Sequence, residues 1–373
     1  MPDSRVKLLH VFEVLQGGQG TYLSLFAEDE LSWIDSYVIA PDRHASSVPK
    51  SLPSVFYRAP RRSLRSLARL AWTTLVTARR IKPDVIFLHS SFSLPLAPIV
   101  WAWSSARIIY CPHGWAAYRY KSGSLKHRLC AFVEGCLAWF PHRVLNISRF
   151  DQMASAKAGY LGSHEILLNA VRDSSLTQQE VRSAGDDSGI SLLFVGRFDR
   201  QKGVDLLLDQ FSRASQARPD LRLFLIGQPV LSTERCFPVD LPGVTAVGWV
   251  DNSEIDRWFA EADALVIPSR WEGFGLVVAE AYRNGCPVIA SDVGALPDLV
   301  EHGRTGFIFS HERGDLADLL ASLSCEQLHA MRRRCRAIYD ERFSIVRYSR
   351  DFHRLLESLD VQRPANTAET RRS

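Results

Sequence analysis

The sequence lacks the marks of several protein classes. Its longest apolar run, residues 94–103, has ten residues and two prolines, whereas a membrane-spanning helix needs about 20 apolar residues. The N-terminal segment holds no apolar core of a signal peptide, which favours an unexported, cytoplasmic protein. The chain has no Asp-x-Asp motif and no Cys-x-x-Cys pair. Its scattered cysteines favour reduced structural thiols over a disulfide framework or a metal site; they are Cys111, Cys130, Cys136, Cys236, Cys286, Cys325 and Cys335.

The composition also excludes a disordered or fibrous chain, because 46% of the residues are hydrophobic and 23% are charged. The length of 373 residues suits two domains of about 150–200 residues each. The net charge of +4 hides an asymmetry, since residues 1–173 carry 21 Lys and Arg against 12 Asp and Glu, and the remainder carries 24 against 29. The first half is basic and the second is mildly acidic, which suggests that they face different partners.

Short apolar runs alternate with helical patterns along both halves. In the first half we predict strands over 6–15, 36–40, 85–89, 106–110 and 144–147, with a helix that follows the glycine cluster at 17–20 and continues to about residue 31. In the second half we predict strands over 191–195, 221–226, 245–247, 264–267 and 287–290. Parallel strands need a crossover between them, so this alternation predicts an α/β fold of two tandem, doubly wound, Rossmann-like domains. Ligands bind beyond the carboxyl ends of such strands, and we expect the site in a cleft between the domains.

The domain boundaries follow from polar and patterned segments. A polar stretch over 174–189 is typical of a linker, and residues 325–359 have a helical pattern. We therefore predict an N-terminal domain over 1–173, the linker, a second domain over 190–342, a C-terminal helix over 343–360 that packs back on the first domain, and a flexible tail over 361–373.

The segment with the most chemistry reads Glu-Gly-Phe-Gly-Leu and follows a predicted strand. Gly273 and Gly275 let backbone N–H groups approach a ligand, and the helix that begins near Leu276 offers unpaired donors to an anion. Glu272 and Glu280 are separated by seven residues, so the two carboxylates can serve different ends of an extended ligand. A carboxylate only accepts hydrogen bonds, which suits sugar or ribose hydroxyls. The alternative is that Glu280 is a solvated helix residue.

A second segment carries two cations in the loop after a strand. Arg197 follows Gly196, and Lys202 comes five residues later, before Gly203. The two side chains are suited to hold a diphosphate, on which negative charge grows as a leaving group departs. The alternative is a pair of solvated loop cations.

Two weaker signals lie in the first half. Gly17, Gly18 and Gly20 form a glycine-rich turn after the first strand that fits a phosphate or a sugar near a helix start, although it lacks the full Rossmann or P-loop spacing. His113 follows another strand, within Cys-Pro-His-Gly-Trp, and its place favours a position at the site over a structural role.

Together these segments resemble the retaining glycosyltransferases of family 4, which have the glycosyltransferase B fold. Glu272 and Glu280 match the E-x7-E motif of that family, and Gly196-Arg197 with Lys202-Gly203 match its cationic loop. Further matches lie at 248–250, 287–298 and 301–307. One departure is Ala-Val-Arg-Asp after Asn169, where the family commonly shows Asn-Gly-Val-Asp. The resemblance is most specific from about 190 to 310.

The resemblance implies a role for each matching residue in donor binding. Glu272 would contact hydroxyls of the transferred sugar near the reacting carbon, and Glu280 would bind the ribose of the nucleotide. Arg197 and Lys202 would hold the diphosphate, together with backbone N–H groups of the glycine-rich turn and helix start, which are Gly273, Phe274, Gly275 and Leu276.

It also implies that His113 lines the donor-sugar and acceptor side and that Gly18 lets the first loop approach the donor. The base would lie near 248–250, where Val250 is the candidate contact. The chain is then expected to be a retaining glycosyltransferase that moves a sugar from a nucleoside diphosphate sugar to a glycan or lipid-linked acceptor in polysaccharide or cell-envelope synthesis. No metal and no other cofactor is expected, since the cationic loop and helix start can stabilise a diphosphate.

Two rival functions remain open at this point. One is a nucleotide-sugar epimerase on the same fold, which would release free epimer without an acceptor. The other is a non-catalytic protein that binds nucleotide sugars without turnover. The sequence leaves the sugar, the base, the acceptor and the oligomeric state undetermined.

The basic first half suggests one more partner. Between Asp42 and Asp84 the chain has no acid and ten cations, beside apolar residues at near-helical spacing and Trp72. An amphipathic basic surface of this kind favours peripheral contact with an anionic membrane at its inner face, and no nucleic-acid motif accompanies it. The alternative is a helix whose apolar stripe packs on the sheet. The cations are Arg43, Lys50, Arg58, Arg61, Arg62, Arg65, Arg69, Arg79, Arg80 and Lys82.

Overall fold

A computed structural model describes residues 5–15, 17–121, 123–174, 176, 189–228, 241–251 and 254–361. Backbone contacts divide the chain into two compact units. Unit 1 contains the residues up to Ala170 and those from Ile345 onward, and unit 2 contains Val171–Ser344. The predicted linker over 174–189 lies outside the described residues except at 174, 176 and 189, and so does the predicted tail after residue 361.

Unit 1 is built on a parallel sheet with the strand order β3-β2-β1-β4-β5-β6-β7. Its strands are β1 (Val6–Phe12), β2 (Ile34–Pro41), β3 (Ser54–Tyr57), β4 (Val85–His89), β5 (Arg107–Cys111), β6 (Arg143–Asn146) and β7 (His164–Ile166). Its helices are α1 (Gly18–Ser24), α2 (Leu64–Ile81), α3 (Ala97–Trp103), α4 (Leu125–Leu137), α5 (Arg149–Lys157) and, after the return from unit 2, α12 (Ile345–Glu357).

Unit 2 has a second parallel sheet, in the order β10-β9-β8-β11-β12-β13. Its strands are β8 (Ser191–Val195), β9 (Arg222–Ile226), β10 (Val244–Gly248), β11 (Ala264–Ile267), β12 (Val288–Ser291) and β13 (Gly306–Phe309). Its helices are α6 (Val204–Ala217), α7 (Ile255–Glu261), α8 (Leu276–Arg283), α9 (Leu296–Leu299), α10 (Leu316–Ser322) and α11 (Cys325–Ile338). The predicted α/β class with two doubly wound sheets is confirmed.

Central strands are continuous apolar runs because helices cover both faces of a parallel sheet. All five residues of β4 are buried, and so are all four of β11. Edge strands carry a weaker signal, and the prediction found β10 but missed the other three edge strands. β3 exposes its two middle residues, and β7 has only three residues, none fully buried. β13, at the other edge of unit 2, was missed as well.

Two helical predictions are wrong in extent. The helix expected to continue to residue 31 ends at Ser24, because Glu28 is extended and separates two short 3-10 turns. The single helical segment expected over 325–359 breaks into α11, a π-helical turn over Tyr339–Phe343, and α12, since Ser344 is extended. The strand expected over 6–15 also stops at Phe12.

The apolar stripe of α2 packs on the sheet, which corrects the interpretation of that stripe as membrane-facing. Leu70 is fully buried in the core of unit 1, and Leu67, Ala71 and Ala78 pack against it. The helix begins at a Ser63 N-cap, whose hydroxyl accepts a hydrogen bond from the Ser66 N–H. The large apolar side chains exposed on this helix are Leu64, Trp72 and Val76.

The C-terminal helix α12 belongs to unit 1 and is fixed there by aromatic packing. The ring of Phe352 lies 5.7 Å from that of Phe26 and 6.1 Å from that of Phe87. The Tyr348 hydroxyl is hydrogen-bonded to that of Tyr22, and both rings are buried. Helix α12 therefore completes the core beside α1 and β4.

Candidate functional site

In unit 2, the loops after β8 and β11 lie side by side because the two strands are adjacent and parallel. The loop after β8 carries Arg197 and Lys202, and the loop after β11 carries Glu272 and leads into α8. Gly203 makes this approach possible, since a Cβ atom there would lie 2.1 Å from the carbonyl oxygen of Pro268. The two segments that carry the strongest sequence signals therefore form one edge.

An ion pair joins these loops. The Lys202 ammonium donates to the Glu272 carboxylate, with 2.7 Å between Nζ and Oε2. The Ser269 hydroxyl donates to the same oxygen at 3.3 Å. The Lys202 side chain is 20% exposed and that of Glu272 is 11% exposed, so the pair is neither fully solvated nor sealed from a ligand. Because an ammonium has three donors, Lys202 can hold Glu272 and still donate to a second acceptor.

Arg197 is held at the same edge but remains half exposed. Its guanidinium pairs with Asp199 at 2.9 Å and donates to the Gln201 side chain at 3.1 Å. The Gln201 side chain in turn donates to the backbone carbonyl of Trp271 at 3.2 Å. The backbone carbonyl of Gln201 accepts from the Arg270 N–H at 2.8 Å. Asp199 and Gln201 thus position the cation and connect the loops. Neither residue was singled out from the sequence; the Trp271 partner of Gln201 lies 70 residues away, whereas Asp199 binds its near neighbours Arg197 and Lys202.

The glycine-rich turn gives α8 an open start. Gly275 occupies the N-cap with φ 90°, a left-handed conformation that favours glycine, and it has no side chain to accept from the first turn. The preceding Phe274 is buried and anchors the turn, whereas Gly273 is half-buried. The helix begins at Leu276, as predicted, so its first N–H groups and the positive end of its dipole face an edge that also holds two cations.

A third loop supports Glu272 from below. The Ala295 N–H donates to the Glu272 carbonyl at 3.2 Å. Gly294, with φ 57°, passes so close that a Cβ atom would lie 1.9 Å from the same oxygen. This position therefore needs glycine for both conformation and space.

Glu280 lies one turn into α8 and is half-buried. Burial raises the pKa of its carboxyl, with Asp256 adding to that effect and Arg283 and Lys202 opposing it. Asp256 and Arg283 form a buried ion pair at 2.6 Å, and Asn284 links that pair to the Glu280 carbonyl. Among the described residues no group is hydrogen-bonded to the Glu280 carboxylate, whose oxygens can accept from a ligand.

Val250 lies just beyond β10, at the other end of this sheet edge. The strand ends in a bulge at Gly248, whose carbonyl accepts from the Gly227 N–H after β9 at 2.8 Å. Val250 is half-buried and the neighbouring Trp249 is 68% exposed. Two strands, β9 and β10, extend the edge from the cationic loop to Val250.

Unit 1 places the other two predicted residues at the carboxyl edge of its own sheet. Gly18 is the first residue of α1 after β1, and His113 follows β5, with β4 between these strands. His113 is half-buried with φ 51°. Its Nε2 is hydrogen-bonded to Nδ1 of His89 at 2.9 Å, and its ring lies 5.1 Å from that of Tyr22 on α1. Burial lowers the pKa of His113 to about 4, so the ring is neutral at pH 7.

The predicted residues therefore fall into two groups, one in each unit. Within the described parts of the chain, no cluster of three or more His, Cys, Asp or Glu side chains has an arrangement that could hold a metal ion. None of the described helices combines the length and the apolar character needed to cross a bilayer.

The contact under Glu272 predicts a selective effect of substitution. Gly294→Ala should displace the Glu272 backbone, lower the melting temperature and weaken nucleotide binding. Gly303→Ala is the matched control, because Gly303 has a similar φ of 75° but open space around it. Thermal unfolding and calorimetric titration of both variants test this. Equal effects at the two positions would show that backbone strain alone, not the close approach, explains the loss.

Known proteins resemble this chain in sequence and in structure. Residues 189–325 match the family model described as Glycosyl transferases group 1. An uncharacterized 41.2 kDa protein in the cps region of Klebsiella pneumoniae is 29% identical over 350 residues, which are 91% of this chain and 96% of that protein. The sulfoquinovosyl transferase SQD2 of Arabidopsis thaliana is 27% identical over 302 residues, which cover 74% of this chain and 55% of that protein.

Solved structures match over nearly the whole chain. Anabaena HepE in complex with UDP and glucose has a TM-score of 0.76 and 20% identity, covering 95% of this chain and 100% of that one. The sucrose-phosphate synthase of Thermosynechococcus elongatus has a TM-score of 0.75 and 17% identity, covering 95% and 99%. The chain has the glycosyltransferase B fold, and its second unit contains the stretch that matches the group 1 glycosyltransferase model.

Proposed function

We propose that the chain transfers a sugar from a nucleoside diphosphate sugar to a glycan or lipid-linked acceptor, with retention of configuration and without a metal ion, in polysaccharide or cell-envelope synthesis. The Lys202–Glu272 ion pair beside Arg197 and the α8 start is the observation that carries the proposal. Names of similar proteins support it: HepE structures contain UDP or UDP-glucose, and the Klebsiella relative belongs to a cps region.

The electrostatics of unit 2 suit a departing diphosphate. As the bond from the sugar to the diphosphate breaks, the leaving oxygen gains negative charge. Arg197, the remaining donors of Lys202 and the N–H groups at the start of α8 lie at the edge where that charge would develop. Fixed donors of this kind stabilise the transition state more than the ground state, which is the condition for catalysis.

The two glutamates bind different parts of the nucleotide-sugar donor. Glu272 is fixed by Lys202, Ser269 and the loop at Gly294, so it can accept hydrogen bonds from hydroxyls of the transferred sugar in a defined position. The Glu280 carboxylate can accept hydrogen bonds from the two ribose hydroxyls. The departing phosphate takes the proton of the acceptor hydroxyl, and Glu272 has no nucleophilic role. In unit 1, His113 lines the sugar and acceptor side, and Gly18 lets the loop after β1 approach the donor. In unit 2, Val250 contacts the base.

Glu272→Gln and Glu280→Gln should therefore fail in different ways. The first should chiefly lower kcat, and the second should chiefly weaken nucleoside diphosphate binding. Loss of hydrogen bonds to a charged acceptor typically costs about 1.5–3 kcal/mol, or roughly 10- to 150-fold. Steady-state kinetics and nucleotide titration measure the two effects. Glu261→Gln, on the exposed face of α7, is the control. Unchanged nucleotide affinity in the Glu280 variant would remove its assigned role.

Metal independence and retention can be tested in one reaction. A panel of UDP-, GDP- and ADP-sugars is incubated with lipid-linked and soluble acceptors in the presence of EDTA, and the first product is examined by NMR. We expect full transfer and the anomeric configuration of the donor. Loss of transfer that magnesium or manganese restores would contradict the electrostatic account, and an inverted anomer would contradict retention.

We also propose that unit 1 contacts an anionic membrane at its inner face, through a surface wider than α2. Exposed tryptophans connect α2, α3 and the turn after α4: the Arg79 guanidinium of α2 lies 5.1 Å from the Trp103 ring of α3, and Trp101 and Trp139 both contact Phe140. On α4 the exposed apolar side chains are Leu125, Leu129, Phe132 and Val133.

Charge favours an anionic bilayer as the occupant of this surface. Lys126 and Arg128 on α4 are exposed. The acid of that helix, Glu134, is buried and accepts from the N–H groups of Ala116 and Ala117, both at 3.1 Å. Apolar and aromatic side chains beside cations are typical of interfacial helices.

Binding to anionic vesicles should fall with rising salt. Each cation near the surface contributes about 1 kcal/mol, so replacing three should weaken binding on the order of 100-fold. The triple variant uses Arg61, Arg65 and Arg80, each changed to Ser, and leaves out Arg62, which pairs with buried Glu13. A second variant changes Leu129 and Phe132 to Ser.

The control for net charge changes exposed cations of unit 2 to Ser; these are Arg257, Arg304 and Arg313. Vesicle sedimentation measures binding for all three proteins. Equal binding to neutral and anionic vesicles, or equal loss in the control, would contradict the proposed surface.

A further inference from the structure

Three histidines of unit 1 form a continuous hydrogen-bonded chain across adjacent strands. Nδ1 of His10 on β1 lies 3.0 Å from Nε2 of His89 on β4, and Nδ1 of His89 lies 2.9 Å from Nε2 of His113 after β5. The strands are neighbours in the sheet order, so backbone register holds the three rings in sequence. The sequence analysis singled out only His113.

The surroundings of the chain are aromatic and uncharged. The His89 ring is stacked on Phe12, with centroids 4.0 Å apart and planes 3° apart. His10 is fully buried, with the edge-on Phe26 ring 4.4 Å away, and its Nε2 has no hydrogen-bond partner among the described residues. No carboxylate is hydrogen-bonded to any of the three rings within the same described part of the chain.

Burial keeps all three imidazoles neutral at pH 7. It lowers the pKa of His10 to about 3 and that of His113 to about 4, and it holds the pKa of His89 well below its usual range. The nearby Tyr22 and Tyr348 hydroxyls are bonded to each other, and burial raises their pKa values and that of the Cys111 thiol, so these groups are neutral as well.

Because the three rings are neutral, the two hydrogen bonds between them limit where the ring protons can lie. Each neutral ring carries one N–H proton, so the three hydrogen-bonded histidines share three such protons. Each of the two hydrogen bonds needs one of them. The third proton must lie at an end of the chain, either on Nε2 of His10 or on Nδ1 of His113. In the first state all three rings are Nε2–H tautomers, and in the second all three are Nδ1–H tautomers. A mixed chain breaks a hydrogen bond.

We propose that His10 and His89 are positioning residues that hold the His113 ring and couple its tautomer to theirs, so that His113 Nδ1 meets a ligand oxygen as a donor or as an acceptor without becoming charged. This rests on the proposed function, in which His113 serves a sugar or acceptor hydroxyl. A hydroxyl can both donate and accept a hydrogen bond. The two tautomeric states of the three histidines let the uncharged His113 ring accept from a hydroxyl or donate to it.

Tautomer coupling can be read directly from the ring nitrogens. The full chain is labelled with ¹⁵N-histidine, and long-range ¹H–¹⁵N spectra at pH 7 distinguish Nδ1–H from Nε2–H rings. His10→Gln, His89→Gln and His113→Gln assign the three signals. We expect all three rings in the same tautomer. Opposite tautomers in any two of the three would overturn the proposal. The measurement needs no turnover, so its failure is distinguishable from failure of the proposed function.

Activity tests the positioning role. His89→Phe keeps an aromatic ring on Phe12 but removes both hydrogen bonds, and we expect kcat to fall about tenfold with little change in donor KM. His89→Asn, whose amide can reach the place of Nδ1, restores the bond to His113 and should recover most of the lost rate.

His329→Gln, on the exposed face of α11, is the control and should match the wild type. Circular dichroism and melting temperatures establish that each variant is folded. A folded His89→Phe variant with wild-type kcat would overturn the positioning role, and so would an Asn variant no more active than the Phe variant.

Discussion

The ion pair between Lys202 and Glu272 is the interaction on which the proposed donor site of unit 2 depends. It joins two loops that are 70 residues apart in sequence, and it does so because β8 and β11 are parallel neighbours whose carboxyl ends meet. Glycines 203 and 294 have no side chains to obstruct the close backbone contacts around it. Without this contact the Glu272 carboxylate would keep only its hydrogen bond from Ser269, and Lys202 would no longer be tied to the loop that leads into α8.

The sequence predicts those parts of the fold that depend on local pattern. Strands over 85–89, 191–195 and 264–267 and the start of α8 at Leu276 are confirmed to the residue, because central parallel strands are continuous apolar runs and the glycine turn marks a helix start. Edge strands such as β7 have only one covered side and few residues, so their pattern is weak. The π-helical turn after α11 depends on tertiary packing around Phe343, which has no local signature.

The candidate site divides along the same line. Glu272, Glu280, Arg197 and Lys202 lie in motifs with a recognisable spacing, and their positions follow from strand ends. Gln201 acts through a backbone carbonyl 70 residues away. His10 and His89, which are 79 residues apart in the chain, meet through strand pairing. A buried histidine in a strand is indistinguishable in sequence from a satisfied core residue, since only the register of β1 against β4 places the two rings in contact.

The charged side chains are placed differently in the two units, which the net charge alone does not show. In unit 2 the loop cations at the strand ends already have carboxylate partners, as Arg197 has Asp199 and Arg270 has Asp205. In unit 1 the carboxyl ends of β4 and β5 instead carry His89 and His113, which burial keeps neutral. Arg62 reaches that edge and is bound there by Glu13, which follows β1. Other cations of unit 1 are exposed on α2, away from the strand ends; they are Arg65, Arg69, Arg79 and Arg80. The proposed surface for an anionic membrane would explain the placement of these cations, and the neutral histidines suit the proposed recognition of hydroxyls by His113.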